Sequence, residues 1–126
     1  MIDHISIAVS DLAAGGAFYD SVLAPLGLTR LVNRPNTLGF GKKYPEFWLN
    51  LREGLALVAA DTGCHVCLRA TSTAAVDAFH AAALAAGGRD GGAPGERQAA
   101  MTTYYGAFVC DPDGNRVEAV TFPRAE

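Results

Sequence analysis

IDHISIAVSDLAAGGAFYDSVLAPLGL, residues 2–28, carries two patterns in succession. Ile5, Ile7 and Val9 alternate with His4, Ser6 and Ala8, the period of two expected of a strand with one apolar face. Asp11 stands where a helix N-cap belongs, because a short carboxylate can accept from the free N–H groups of the first turn. Leu12, Phe18, Val22 and Leu23 supply the apolar positions of that helix, and Pro25 and Gly27 close it. The stretch reads as a strand followed by a helix.

The same order returns further along. In GCHVCLRA, residues 63–70, Val66 and Leu68 alternate with His65, Cys67 and Arg69. Ser72 or Thr73 can cap an Ala-rich helix carrying Val76, Phe79 and Leu84 towards Gly87 and Gly88. Superposed without a gap, His4 meets His65, Phe18 meets Phe79 and Gly27 meets Gly88, all at an offset of 61 residues. Those coincidences point to an internal duplication. Strand-like pieces follow each helix: TLGFG and FWLNL in the first half, TTYYGAFVC and RVEAVTF in the second. DPDGN, residues 111–115, joins the last two as a hairpin turn, with Asp11, Asp111 and Asp113 serving the backbone as cap and turn residues. GGRDGGAPGERQAAM, residues 87–101, reads as a long Gly-rich loop.

Bulk properties bound what such a chain can do. Its 126 residues make one domain, with a first module over about 1–57 and a second over about 62–123 sharing one core. Ten basic against thirteen acidic residues, with no basic run, give no footprint for nucleic acid or an anionic membrane. Neither a secretory leader nor an apolar span is evident, so the reading is a soluble, cytoplasmic protein with a small-molecule partner. Cys64, Cys67 and Cys110 are too few and too odd in number for a disulfide framework.

Strand parity sorts the polar side chains. Arg116 and Glu118 share one face of RVEAV, whereas Cys64 and Cys67, three apart, take opposite faces and make a poor chelate. A lone strand histidine is most often a satisfied rim residue. Two histidines at repeat-related positions are different, since a pseudo-twofold turns equivalent faces toward one cleft. Two His and one Glu in an open site suit Fe(II), Mn(II), Zn(II) or Ni(II) and leave coordination positions for substrate. His80, on the second helix, reads as a surface residue.

With its early strand histidine, Asp cap, FY pair and terminal LG, the opening stretch resembles the first module of the vicinal oxygen chelate superfamily. DPDGNRVEAV resembles that superfamily's closing hairpin and metal-binding strand. The resemblance covers nearly the whole chain. It implies an α+β fold of two tandem βαβββ modules forming a cup-shaped mixed sheet with helices outside, the glyoxalase/bleomycin resistance/dihydroxybiphenyl dioxygenase fold. It also implies one divalent metal held by His4, His65 and Glu118, a homodimer, and a metal-dependent lyase, transferase or dioxygenase acting on a small oxygen-rich substrate. Metal-free ligand-binding proteins of the bleomycin-resistance type are the alternative.

Around such a metal the cup would draw on Ser6, Trp48 and Asn50, with Arg52 and Arg116 of the right parity to meet an anion. Tyr104, sharing its face with Gly106 and Phe108, is the candidate for a substrate hydrogen bond or proton transfer. Glyoxalase I and the epimerase branch would add a fourth ligand on the strand in EFWLNLREG, where Asn50 is the nearest polar substitute and a poor ligand. The phosphonate-clamping loop of fosfomycin-resistance enzymes is not matched either, since residues 91–106 offer Arg97 and no lysine. The acid–base histidine of a dioxygenase has no match, because His80 would lie outside the cup.

Overall fold

The computed structural model describes residues 1–123. Strand β1 (Ile5–Val9) leads into helix α1 (Leu12–Leu23) and a 3₁₀ turn (Ala24–Leu26), followed by β2 (Thr29–Asn33), β3 (Thr37–Gly41) and β4 (Pro45–Leu51). The second module repeats the order as β5 (Val66–Arg69), α2 (Thr73–Ala85), β6 (Arg89–Gln98), β7 (Thr103–Cys110) and β8 (Arg116–Thr121). Each module builds a four-stranded mixed sheet, β1-β4-β3-β2 in one and β5-β8-β7-β6 in the other. In both, the strand before the helix pairs parallel with the module's last strand, and the remaining pairs are antiparallel.

Both helices start where the capping residues place them. The Asp11 carboxylate accepts from the Ala14 N–H at 2.9 Å, and the Ser72 hydroxyl accepts from the Ala75 N–H at 3.1 Å. Phe18, Tyr19, Val22 and Leu23 of α1 and Val76, Phe79 and Ala83 of α2 are buried in one continuous core, where the Phe18 ring lies against Gly88. That core also takes Phe47 and Leu49 from β4 and Val117 and Ala119 from β8. Each sheet therefore turns one face to the helices and leaves the other open. A polar joint links the modules: Tyr19 Oη donates to Asp111 Oδ2 at 2.7 Å, and Asn115 Nδ2 donates to the Ala8 carbonyl at 2.8 Å.

Several expectations change in detail. Residues 89–98 are not a loop but strand β6, whose register against β7 slips twice, between Asp90 and Gly92 and between Gly92 and Gly95. Glycines hide the strand in the sequence, yet bulges are where they serve a strand. Strand β2 was also concealed, in TRLVN. His4 and His65 stand immediately before β1 and β5 and not within them. Leu84, read as a core position, is 47% exposed, and Ala83 is buried in its place. Gly27 and Gly87 are the left-handed residues closing the two helical segments, so the 61-residue alignment slips by one at that end.

Gly41 has a stricter requirement than these. A Cβ there would come within 1.9 Å of the Tyr44 carbonyl oxygen, which is backbone and cannot rotate away. Gly41→Ala should cost about 1–3 kcal/mol in urea unfolding through local overpacking. Gly95→Ala, which meets nothing within 4 Å, should change stability by less than about 0.5 kcal/mol.

Candidate functional site

Register makes the two open faces comparable. In the first sheet Ser6 pairs with Trp48 and Trp48 with Gly39; in the second Cys67 pairs with Glu118 and Glu118 with Phe108. Ser6 and Cys67 are repeat-equivalent, so Trp48 is the first-module counterpart of Glu118. That corrects the assignment of this position to Asn50, which pairs with Ala8 one step further along and accepts a hydrogen bond from the Thr37 hydroxyl at 3.3 Å. An indole has no lone pair for a metal, so the first sheet supplies no carboxylate here.

Glu118 is 5% exposed although it lies on the open face. His65 Nε2 lies 3.1 Å from its Oε1, and the His65 ring meets Phe108 edge-on with centroids 5.4 Å apart. The Cys67 thiol and the Tyr104 hydroxyl are both turned toward the same carboxylate. Burial, then the Glu118 charge, pushes the Cys67 thiol up to about 12. The same two causes raise the Tyr104 phenol. Tyr105 faces the other way and donates to Asp77 of α2 at 2.6 Å.

The remaining candidates are distributed around this centre. His4 is exposed and its Nδ1 lies 2.6 Å from Asp3, but it shares with His65, Cys67, Tyr44 and Glu46 a depression of about 500 Å³. A second hollow of about 520 Å³ is lined by Ser6, His65, Phe108, Asn115 and Arg116. His65 thus stands between the two. Arg116 stacks on Phe108 at 4.6 Å, and Trp48 lies under the Arg34 guanidinium at 5.8 Å. Arg52 follows the end of β4 and donates to the Leu51 carbonyl at 2.8 Å, in an exposed position. His80 is not a free surface residue: its side chain is 12% exposed and Nε2 lies 2.9 Å from Asp90 Oδ1. Asp90 reaches it because residues 89–98 fold as a strand.

Fitness for a metal can be judged from the donors. Two ligand atoms about 2.0–2.2 Å from one ion at right or tetrahedral angles stand about 3 Å apart, and His65 Nε2 and Glu118 Oε1 are already so placed. Among the described residues no three His, Cys, Asp or Glu side chains converge as a group, so His4 does not join that pair. Cys67, which strand parity sets aside as half of a poor chelate, pairs with Glu118 and belongs to the site. Its parity with His65, two positions before it, was the available signal. Arg69, likewise on that face, carried the same signal.

Comparison with known proteins agrees with this architecture. The family model for the Glyoxalase/Bleomycin resistance protein/Dioxygenase superfamily matches residues 1–119. A glyoxalase/bleomycin resistance protein from Albidiferax ferrireducens T118 is 30% identical with a TM-score of 0.84, over 95% of this chain and 98% of that one. A glyoxalase/bleomycin resistance protein/dioxygenase family enzyme from Burkholderia phytofirmans PsJN is 22% identical, TM-score 0.73, over 96% and 98% of the two chains. Lactoylglutathione lyase from Agrobacterium tumefaciens shares the fold at 22% identity and a TM-score of 0.65, over 95% and 92%. No curated protein matches. On its sequence and its paired βαβββ modules, the chain belongs to the Glyoxalase/Bleomycin resistance protein/Dioxygenase superfamily.

Proposed function

We propose that the chain is a metal-dependent enzyme of this superfamily that binds a small oxygen-rich substrate at one divalent ion, Fe, Mn, Zn or Ni, held by His4, His65 and Glu118. The observation carrying this reading is the His65–Glu118 donor pair at 3.1 Å, set on the floor of the open face with Tyr104 beside it. A bound divalent ion would supply Lewis-acid stabilisation of negative charge on a substrate oxygen. Glu118 fixes the orientation of His65, and the Phe108 ring packs edge-on against the imidazole. Tyr104, held protonated by partial burial and the Glu118 charge, is the group placed to donate a hydrogen bond or a proton to bound substrate. Ser6, Trp48, Asn50, Arg52 and Arg116 form the surrounding wall in this reading.

A homodimer belongs to the same proposal. Each module leaves β1 or β5 at the edge of its sheet, with unpaired backbone groups that a second copy can approach. Among the described residues no helix is long and apolar enough to cross a membrane. A metal-free binding protein is the second reading, favoured by the separation of His4 from the other two donors.

Metal analysis of purified protein decides between them. About one divalent ion per chain, lost in His65→Ala and in His4→Ala, supports the enzyme. Folded protein that takes up no Fe, Mn, Zn or Ni when supplied with them supports the binding protein.

A further inference from the structure

The charges of the second sheet are sorted by face. On the open face stand Arg69 of β5, Arg116 of β8 and both Arg89 and Arg97 of β6, around the one acid of that sheet face, Glu118. Register places them there: Arg116 pairs with Cys110, two residues from Phe108, and Arg97 pairs with Tyr104. The acids of β6 point to the helices. Asp90 meets His80 of α2, and Glu96 pairs with Tyr105, whose hydroxyl goes to Asp77 of α2. A chain with a formal net charge of −3 therefore carries a locally cationic face on its second sheet, and Asp61, on the loop before β5, is the acid that joins Arg116 in lining the 520 Å³ hollow.

These guanidiniums are not equally free. Arg97 is committed to backbone carbonyls, with Nη1 donating to Gly95 and Gly106 and Nη2 to Ala93. Arg69 lies over the Phe122 ring at 4.8 Å. Arg116 is fixed by stacking on Phe108 at 4.6 Å and by one hydrogen bond, Nη2 to the Gly91 carbonyl at 3.1 Å. Arg116 also lines the 520 Å³ hollow with His65 and Ser6, and a guanidinium has N–H donors beyond that one bond. A guanidinium held in plane by an aromatic ring, with donors free, is pre-organised for a two-oxygen anion.

We propose that the substrate of this site is a small molecule bearing a carboxylate or another compact oxyanion, and that Arg116 is the residue that selects it, with the arginines of β5 and β6 supplying the surrounding field. The proposal rests on the open face being the substrate site. Anion and metal would occupy adjacent positions, the first at Arg116 and the second at His65 and Glu118.

Probes that differ only in charge test it: benzoate and phenylphosphonate against the near-isosteric, neutral benzamide. Titrations of metal-free protein, followed by NMR with the arginine Nε–H signals resolved, keep any bound ion out of the comparison. At least one of the two anions should bind tenfold or more tightly than benzamide and shift the Arg116 signal, and the tighter of the two identifies the oxyanion. Arg116→Gln should lose that tenfold preference, Arg69→Gln should reduce it two- to threefold, and Lys42→Gln, whose side chain lies against Gly27 at the end of the 3₁₀ turn, should leave it intact. Equal binding of benzamide and both anions, or a folded Arg116→Gln protein that keeps the preference, overturns the proposal. Metal content is measured on the same samples, so a protein that takes up metal but shows no anion preference fails here alone, and one with the preference but no metal fails only the enzyme reading.

Discussion

Asp111→Ala is expected to destabilise the fold by about 3 kcal/mol or more in urea unfolding, because it strips the acceptor from several buried donors at once. Asp111 is 1% exposed, and its two oxygens accept from Tyr19 Oη, Asn115 Nδ2 and the Asp113 and Asn115 backbone N–H groups. These contacts join α1 to the turn before β8, so the loss falls on the joint between modules. Asp111→Asn should be milder but not neutral, since an amide NH2 would face donors wherever it was turned. Tyr19→Phe removes one bond alone and should cost about 1 kcal/mol at neutral pH. Its further signature lies in alkali. Burial, then the Asp111 charge, holds the Tyr19 phenol well above its ordinary value of 10.0. Unfolded chains lose that proton near pH 10 while the native state keeps it, so stability falls as pH rises above 10 by about 1.4 kcal/mol per pH unit per proton. The Cys67 thiol, raised to about 12 from 9.0, adds a loss beginning near pH 9. Tyr19→Phe should flatten the slope above pH 10 by one proton and leave the Cys67 share. A slope unchanged in that variant would show that Tyr19 does not titrate in the unfolding transition.

Local chemistry in this chain is legible where it is decided locally. Asp11 and Ser72 cap their helices because a short side chain needs only the next few N–H groups, and the alternation through residues 4–9 and 116–120 fixes which side chains share a face. Parity was enough to separate Tyr104 from Tyr105 and to set Arg116 beside Glu118. What escaped depends on pairing partners. Strand β6 is glycine-rich and bulged, and it is a strand because β7 offers it a ladder, which no window of residues 87–101 contains. Choosing Trp48 over Asn50 as the counterpart of Glu118 needs the register of β1 on β4, and a strand pattern has no register until it is paired. His80 was misread for the same reason, since Asp90 reaches it only through β6. The link between Cys67 and Glu118 joins residues 51 apart in sequence but adjacent across a parallel pair. Parity with His65 placed Cys67 on the right face, and only the fold supplied its neighbour.

Glu118→Gln should lower divalent-metal affinity about 100-fold or more while leaving a folded protein. Glutamine keeps the volume and one acceptor oxygen but brings no negative charge, and a neutral amide is a weak ligand for a transition metal. Because Glu118 is 5% exposed between Cys67 and Phe108, its isostere fills the same space, and stability should shift by about 1 kcal/mol or less. Glu118→Ala would confound loss of charge with a cavity. A metal-independent readout is available in the same variant. The Cys67 thiol is raised first by burial and second by the Glu118 charge, so removing that charge should bring its ionisation down part of the way from about 12 and no further. Alkylation of metal-free protein by iodoacetamide should then begin at lower pH in Glu118→Gln than in the parent, with the unfolded-protein rate as the common reference. Faster alkylation with metal affinity intact would mean that Glu118 faces Cys67 but does not hold the ion; lost metal with alkylation unchanged would mean that the carboxylate holds the ion but does not act on the thiol. Both changes together are expected of a carboxylate placed, as this one is, between His65 and Cys67 on the floor of the cup.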